Sequence, residues 1–299
     1  MDILQLWGLD LIRSIQQFHG PILDGLFRAI TFLGTQEAYL LVMPFIMWCI
    51  DFRVGVRLII VLLFSSYLNT DLKDLFQQPR PFQLDPGVKL ADATGYSLPS
   101  GHAQSAVVVW GGIAVWLHAT WFWVAAILLI ILIGFSRIYL GVHFPTDVLA
   151  GWAIGAGLLG IFLVTRQRIQ RRLEQLHFVI VMLLATTIPI ALILIHSTPN
   201  AVSAPAIASG LTVGLALASH RNAFSVEGIW QQRLFRYVIG MSITLGLYFG
   251  LGAIFPAEGE TFYLVLRFVR YWMVGLWISL GGPWFFHLLK LSPGQTGKS

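Results

Sequence analysis

A chain of 299 residues that is 57% hydrophobic and only 11% charged, with a mean hydropathy of +0.75, is not a soluble globular protein, in which about a quarter of residues carry charge. The formal net charge of +5 does not mark a nucleic-acid binder, because the lysines and arginines sit in short loops between apolar runs. The single cysteine, Cys49, lies inside an apolar run and excludes an intrachain disulfide and any cysteine-based metal site.

Residues 1–18 are amphipathic. Ile3, Leu4, Trp7, Leu11, Ile15 and Phe18 recur at helical spacing, and Gln5, Asp10, Arg13, Ser14, Gln16 and Gln17 lie mainly opposite. The pattern fits a helix in the membrane interface and equally a helix packed on other spans. Asp2 stands where a leader would carry basic residues, so no cleavable signal is expected. Gly20-Pro21 breaks this helix, and residues 22–33 form a second, weaker amphipathic stretch.

Apolar runs follow at residues 37–50, 54–72, 103–119, 121–135, 148–164, 178–195, 202–219, 234–255 and 262–289. Most approach the roughly 20 residues that a bilayer requires. The sequence thus predicts an all-α polytopic membrane helical bundle of about nine transmembrane helices. Three parts are expected: an interfacial amphipathic segment over 1–36, a core membrane domain over 37–165 and a four-helix membrane extension over 166–299. Arg53 and Arg57, then Arg166, Arg168, Arg171 and Arg172, then Arg221, Arg233 and Arg236, then Lys290 and Lys298 all fall on one side if nine spans alternate. The positive-inside rule makes that side cytoplasmic, so the loop over 77–100 and the turn at His143 face outward. No internal repeat of the kind transporters carry is evident.

Three polar stretches meet at that outer surface. The first is Lys73 followed by Arg80-Pro81, the second Pro99-Ser100-Gly101-His102, and the third runs from Ser136-Arg137 through His143 to Asp147. His143 and Asp147 are four apart and share a face if the turn is helical. A carboxylate on one imidazole nitrogen leaves the other free as nucleophile or base. Any one of Lys73, Arg80 and Arg137 reads as an interface anchor, but three cations converging on two histidines call for a bound dianion. Ser100 and Gly101 stand at a helix start, whose N–H groups and dipole suit an anion, while Ser100 as a plain N-cap is compatible with the same sequence. Asp74, Asp85 and Asp92 are scattered and form no magnesium cluster, so no metal or cofactor is expected. The remaining histidines, His19, His118, His177, His196, His220 and His287, read as packing or interface residues.

Together these three stretches resemble the signature of the type 2 phosphatidic acid phosphatase superfamily in residue type, spacing and order. The resemblance covers about residues 54–164. It implies metal-independent hydrolysis of a phosphomonoester or diphosphate through a phosphohistidine. His143 would be the nucleophile, Asp147 its orienting carboxylate, and His102 the acid that protonates the leaving oxygen and then the base that activates water. Lys73, Arg80, Ser100, Gly101 and Arg137 would hold the phosphoryl oxygens. The layout also resembles the glucose-6-phosphatase branch. The apolar Pro81-Phe82 and the membrane-surface site favour a phosphorylated lipid as substrate, with a sugar phosphate, or phosphotransfer to an alcohol, as alternatives. A cell-membrane protein with an extracytoplasmic site is expected.

Arg267 and Arg270 lie within the last span, three apart and so on one face. Glu258 and Glu260 are their expected partners by snorkelling. The alternative reading lets one of them line the substrate cavity.

Overall fold

The computed structural model describes residues 3–219 and 224–292. Asp2, His220, Arg221 and Lys298, which entered the sequence reading, lie outside the described residues. The elements run α1 (Ile3–Gln16), α2 (Pro21–Phe32), α3 (Gln36–Phe45), α4 (Phe52–Phe76), α5 (Pro81–Leu84), α6 (Gly101–Ala106), α7 (Gly112–Leu117), α8 (Thr120–Tyr139) and α9 (Pro145–Gln175). After them come α10 (Phe178–Ile195), α11 (Pro199–Ser219), α12 (Trp230–Leu245), α13 (Leu251–Ile254), α14 (Tyr263–Leu276) and α15 (Gly282–Leu288). Wide helical turns bridge α6 to α7 at Val107–Gly111, α12 to α13 at Gly246–Gly250, and α14 to α15 at Trp277–Gly281. No strand occurs among the described residues, and the all-α membrane fold is as the composition requires.

Seven of these helical stretches are long and apolar enough to cross a bilayer, and an eighth is counted if Pro21–Phe32 and Gln36–Ile50, bent by 49°, make one span. The predicted span over 103–119 is not among the seven. It is helical as α6, the wide turn and α7, but His118 adopts φ 51° and stops it. Proline at the first turn opens α2, α5 and α9, where its missing N–H costs nothing. Pro189 and Pro205 sit inside spans, which membrane helices tolerate.

The chain divides into two compact units, Met1–Leu40 with Leu68–Thr165, and Leu41–Tyr67 with Arg166–Ser299. In the first, α1 sets Leu9 and Ile12 against Val88 and Phe144, while Ile3, Leu4 and Trp7 remain exposed. Gln16, placed on the polar face by its sequence spacing, turns inward instead. Its Nε2 donates to Val88 O at 2.9 Å and Tyr139 O at 2.7 Å, so a buried amide is satisfied by the carbonyl of a short turn and one at the end of α8. A second cluster of Tyr139, Leu140 and Val142 packs with Ile15, Leu23 and Phe27. Helix α9 lies on α6 through glycines: a Cβ on Gly151 would stand 2.6 Å from Ser100 O, and one on Gly155 2.6 Å from Gln104 O.

In the second unit α11 and α14 approach equally closely. A Cβ on Gly210 would collide with Trp272 O, and one on Gly275 with Ile207 O. Small residues at such contacts are the usual device of membrane helix pairs. Arg236, one of the orienting cations in the sequence, is fully buried and donates to Ser225 O, Val226 O and Glu227 O, so it organises a loop.

The glycine contact makes a prediction. Gly151→Val forces α9 away from the start of α6 and should destabilise the protein by about 1–3 kcal/mol, the ordinary cost of overpacking. Thermal unfolding in detergent measures it, and an unchanged Tm would contradict the close approach.

Candidate active site

All eight residues singled out by the sequence lie in the first unit. Lys73 occupies the last turn of α4. Arg80 precedes Pro81 and is therefore extended, with φ −81° and ψ 156°. Its N–H donates to Gln83 Oε1 at 2.7 Å, which fixes the turn and sends the side chain inward. There Nε donates to Gly95 O at 2.8 Å, Nη2 to Thr94 O at 2.6 Å and Nη1 to Val142 O at 2.8 Å. Lys73 Nζ donates to Tyr96 O at 2.5 Å. The loop between α5 and α6 thus turns consecutive carbonyls onto two cations.

Arg137 stands in the last turn of α8, buried, with Nη1 donating to Thr31 Oγ1 at 2.8 Å. Its carbonyl accepts from Val142 N and His143 N, which folds the connection to α9 back on itself. Gly141 makes that fold possible: it has φ +69°, and a Cβ there would strike Val88 O. Ser136, though within the third stretch, bonds its hydroxyl to Ile133 O at 2.6 Å.

The fold-back delivers His143 to Asp147. Nδ1 of His143 lies 3.3 Å from Asp147 Oδ2, both side chains being buried. Asp147 sits in the first turn of α9, and its Oδ2 also accepts from Phe144 N at 2.8 Å, as a carboxylate at the third helical position does in a capping box. Ser97 Oγ donates to the same oxygen at 2.5 Å and lies 3.3 Å from His143 Nδ1. Gln78 Nε2 donates to Asp147 Oδ1 at 3.1 Å. With Nδ1–H directed at the carboxylate, Nε2 carries the lone pair, and Arg80 Nη1 lies 3.3 Å from it. Burial first, then the charges of Lys73, Arg80, Arg137 and His102, hold the His143 imidazole well below the ordinary histidine range. That shift favours the neutral imidazole at neutral pH.

Ser100 and His102 open α6. Asn69 Nδ2 donates to Pro99 O at 3.3 Å and braces this start against α4. The expectation that both the Ser100 and Gly101 N–H groups face an anion needs correction. Ser100 N donates to Asp147 O at 3.0 Å and is spent. Nor is Ser100 a side-chain cap, because no cap bond forms. Its Oγ is instead buried without a partner, and so is Arg137 Nε. Arg137 acts electrostatically on His143 together with Lys73 and Arg80, and orphaned donors such as its Nε and the Ser100 hydroxyl are what a group with several acceptor oxygens would satisfy. The His102 ring is only partly buried, and Lys73, Arg80 and Arg137 all act on it electrostatically. Among the described residues no group of three or more His, Cys, Asp or Glu side chains is placed to hold a metal.

Sequence reasoning missed Ser97, Gln78 and Thr31. Ser97 and Gln78 lie within or beside the quoted stretches, where a hydroxyl and an amide near a charged cluster are a usable signal. Thr31, in α2, gives none.

Residues 54–173 match the PAP2 superfamily, and residues 202–295 match the PAP2 superfamily phosphatase, transmembrane extension. Lipid phosphate phosphatase delta of Arabidopsis thaliana is 28% identical over 193 residues, 56% of this chain and 46% of that protein. Undecaprenyl-diphosphatase of Sulfolobus acidocaldarius is 36% identical over 107 residues, 35% of this chain and 51% of that protein. This chain therefore spans about half the length of these curated relatives. The crystal structure of a transmembrane PAP2-type phosphatidylglycerolphosphate phosphatase from Bacillus subtilis has a TM-score of 0.50 at 26% identity, covering 56% of this chain and 89% of that one. Two successive family matches enclose all three polar stretches and most of the membrane helices beyond them, and the chain belongs to the PAP2 superfamily.

Proposed function

We propose that the protein is a membrane phosphatase that hydrolyses a phosphomonoester or diphosphate of a lipid through a phosphohistidine, without a metal. The observation that carries this reading is the buried His143 imidazole, tied through Nδ1 to Asp147 and with its Nε2 turned to the Arg80 guanidinium. In the first step Nε2 attacks phosphorus, the bond to the leaving oxygen breaks, and His102 gives that oxygen its proton. Arg80, Arg137, Lys73, Ser100 Oγ and the Gly101 N–H stabilise the equatorial oxygens, where charge accumulates. Asp147 stabilises the positive charge that forms on the imidazole. In the second step His102 takes a proton from water, the oxygen attacks phosphorus, and the P–N bond breaks to release phosphate and restore His143.

Names of the relatives, a lipid phosphate phosphatase and an undecaprenyl-diphosphatase, support a lipid substrate. So does a position next to apolar helices. In this reading residues 37–165 supply the chemistry, 1–36 rest at the interface and 166–299 are a membrane extension. The site faces away from the cytoplasm.

Phosphate release from a panel of lipid and sugar phosphates tests the reading. His143→Ala should abolish release, and Asp147→Asn should lower kcat on the order of 10³–10⁴-fold. Ser97→Ala removes a charge-assisted hydrogen bond of about 1.5–3 kcal/mol, so kcat should fall about 10–100-fold with KM nearly unchanged. Wild-type activity in His143→Ala would refute the mechanism. Sugar phosphates turned over in preference to lipids would refute the substrate class.

Activity should survive chelation and be inhibited by vanadate, and restoration of a chelated enzyme by magnesium or zinc would overturn the metal-free reading. The pH profile of kcat/KM should be bell-shaped. Because the folded protein lowers the His143 pKa, the nucleophile loses its lone pair only well below pH ~6.5, so the acidic limb lies below that value. An acidic limb at or above it would show that His143 is not the free base.

For the orientation, an impermeant thiol reagent should modify Asp92→Cys in intact cells, in a Cys49→Ser background. Arg168→Cys should react only after permeabilisation. The reverse pattern would place the site in the cytoplasm.

A further inference from the structure

A second cluster of positive charge lies in the other unit, within the span Tyr263–Leu288. Arg267 and Arg270 are four and seven residues beyond the start of α14, or about 6 and 10 Å along it at ~1.5 Å per residue. That is the depth of the headgroup and acyl boundary, where an unpaired charge is costly and finds a partner or a cavity. The glutamates expected to neutralise them do not. Glu260 Oε2 accepts from Ala257 N instead, and among the described residues of this unit neither arginine forms an ion pair.

What surrounds the guanidinium groups is aromatic and hydroxylic. Arg270 Cζ lies 4.7 Å from the Tyr248 ring centroid and 5.1 Å from that of Tyr271. Arg267 Cζ lies 5.3 Å from the Tyr271 centroid. Its Nη1 donates to Tyr263 Oη at 2.7 Å and its Nε to Ser203 Oγ at 3.2 Å. The shared Tyr271 ring holds both cations on one side of α14, where they repel each other. Aromatic faces soften a buried cation but supply no negative charge. The Arg270 Nε is buried and has no hydrogen-bond partner. Its guanidinium also lies directly against Gly252: a Cβ there would stand 2.6 Å from Nη1 and 2.7 Å from Cζ.

We propose that Arg267 and Arg270 form a binding site for the phosphate group of an anionic membrane lipid, separate from the catalytic residues. Two forked guanidinium groups match the tetrahedral oxygens of a phosphate. The Tyr263 and Ser203 hydroxyls fix Arg267 in the orientation required, and the depth in the span matches a headgroup whose acyl chains lie along the helix. A phosphodiester is sufficient ligand, since the site contains no nucleophile. The bound lipid supplies the counter-charge that the protein lacks there and ties the extension to its membrane.

The test is lipid retention by the full chain in detergent, read by native mass spectrometry, with phosphatidylglycerol against phosphatidylcholine. Wild type should retain phosphatidylglycerol preferentially, and the double variant Arg267→Gln, Arg270→Gln should lose about tenfold or more of that preference, the equivalent of one charge-assisted contact. Cooperative thermal unfolding without added lipid controls for folding and does not depend on enzymatic activity. If the double variant does not fold, Gly252→Ala decides: its methyl displaces the Arg270 guanidinium with both charges kept, and several-fold loss of the preference is expected. An unchanged preference in the folded variant overturns the site. Protection of wild type over variant by inorganic phosphate, equal to that by phosphatidylglycerol, overturns the assignment to lipid in favour of a soluble anion.

Discussion

The Asp147 carboxylate accepts from four groups: Ser97 Oγ, Gln78 Nε2, Phe144 N and, through Nδ1, His143. Its backbone carbonyl accepts from Ser100 N. One residue therefore joins the end of the Lys73 stretch, the entry to α6 and the start of α9. A carboxylate with so many donors is held in a single rotamer, and the imidazole it orients inherits that rigidity. The same oxygen that orients the imidazole also accepts from Phe144 N at the start of α9, so one carboxylate serves both the helix start and the histidine. Preorganisation of this kind removes the reorganisation that an exposed His–Asp pair would need during reaction.

The cations are held by a different device. Arg80 and Lys73 are gathered by carbonyls of residues 94–96 and 142, in loops whose oxygens are not consumed by helical bonding. Those dipoles offset the mutual repulsion of the charges without neutralising them, which leaves a field suited to an incoming anion. Asp147 is already engaged by its own donors. The deficit appears at Ser100 Oγ and Arg137 Nε, two buried donors with no acceptor. A buried unpaired polar group costs on the order of 1–3 kcal/mol, and a phosphoryl group that satisfies both recovers this free energy on binding. The free protein is thus complementary to something absent from its own sequence.

Much of this was legible from residue order. The four-residue interval from His143 to Asp147 requires only one turn of helix, and Pro145 announces that helix, so the pair follows from local geometry. Arg80 before Pro81 is likewise extended for a local steric reason. What escaped depends on contacts distant in sequence. Ser97 approaches Asp147 across a fifty-residue interval, and Thr31 approaches Arg137 across more than a hundred. Gln16 was placed on the polar face by periodicity, but periodicity cannot register the distant carbonyls of residues 88 and 139 that accept from it. The apolar run over 103–119 is helical up to Leu117, and its end two residues early escapes hydropathy, which does not sense the left-handed His118.

The two cation clusters show how secondary structure decides what may neutralise a charge. Around Arg80 the backbone is irregular, so its carbonyls are available and can be aimed at a guanidinium. Along α14 each carbonyl up to the last turn is committed to the N–H four residues on, and no such dipole can turn toward Arg267 or Arg270. Side chains must then do what the backbone cannot. The helix has tyrosines at 263 and 271 flanking the two arginines, and α11 contributes Ser203. Those groups accept one hydrogen bond each and present ring faces, so they stabilise a cation less than a carboxylate would. A helical pair of arginines in a span is therefore left with charge to be satisfied from outside the protein, and in a bilayer the abundant anions at that depth are phosphates of lipids.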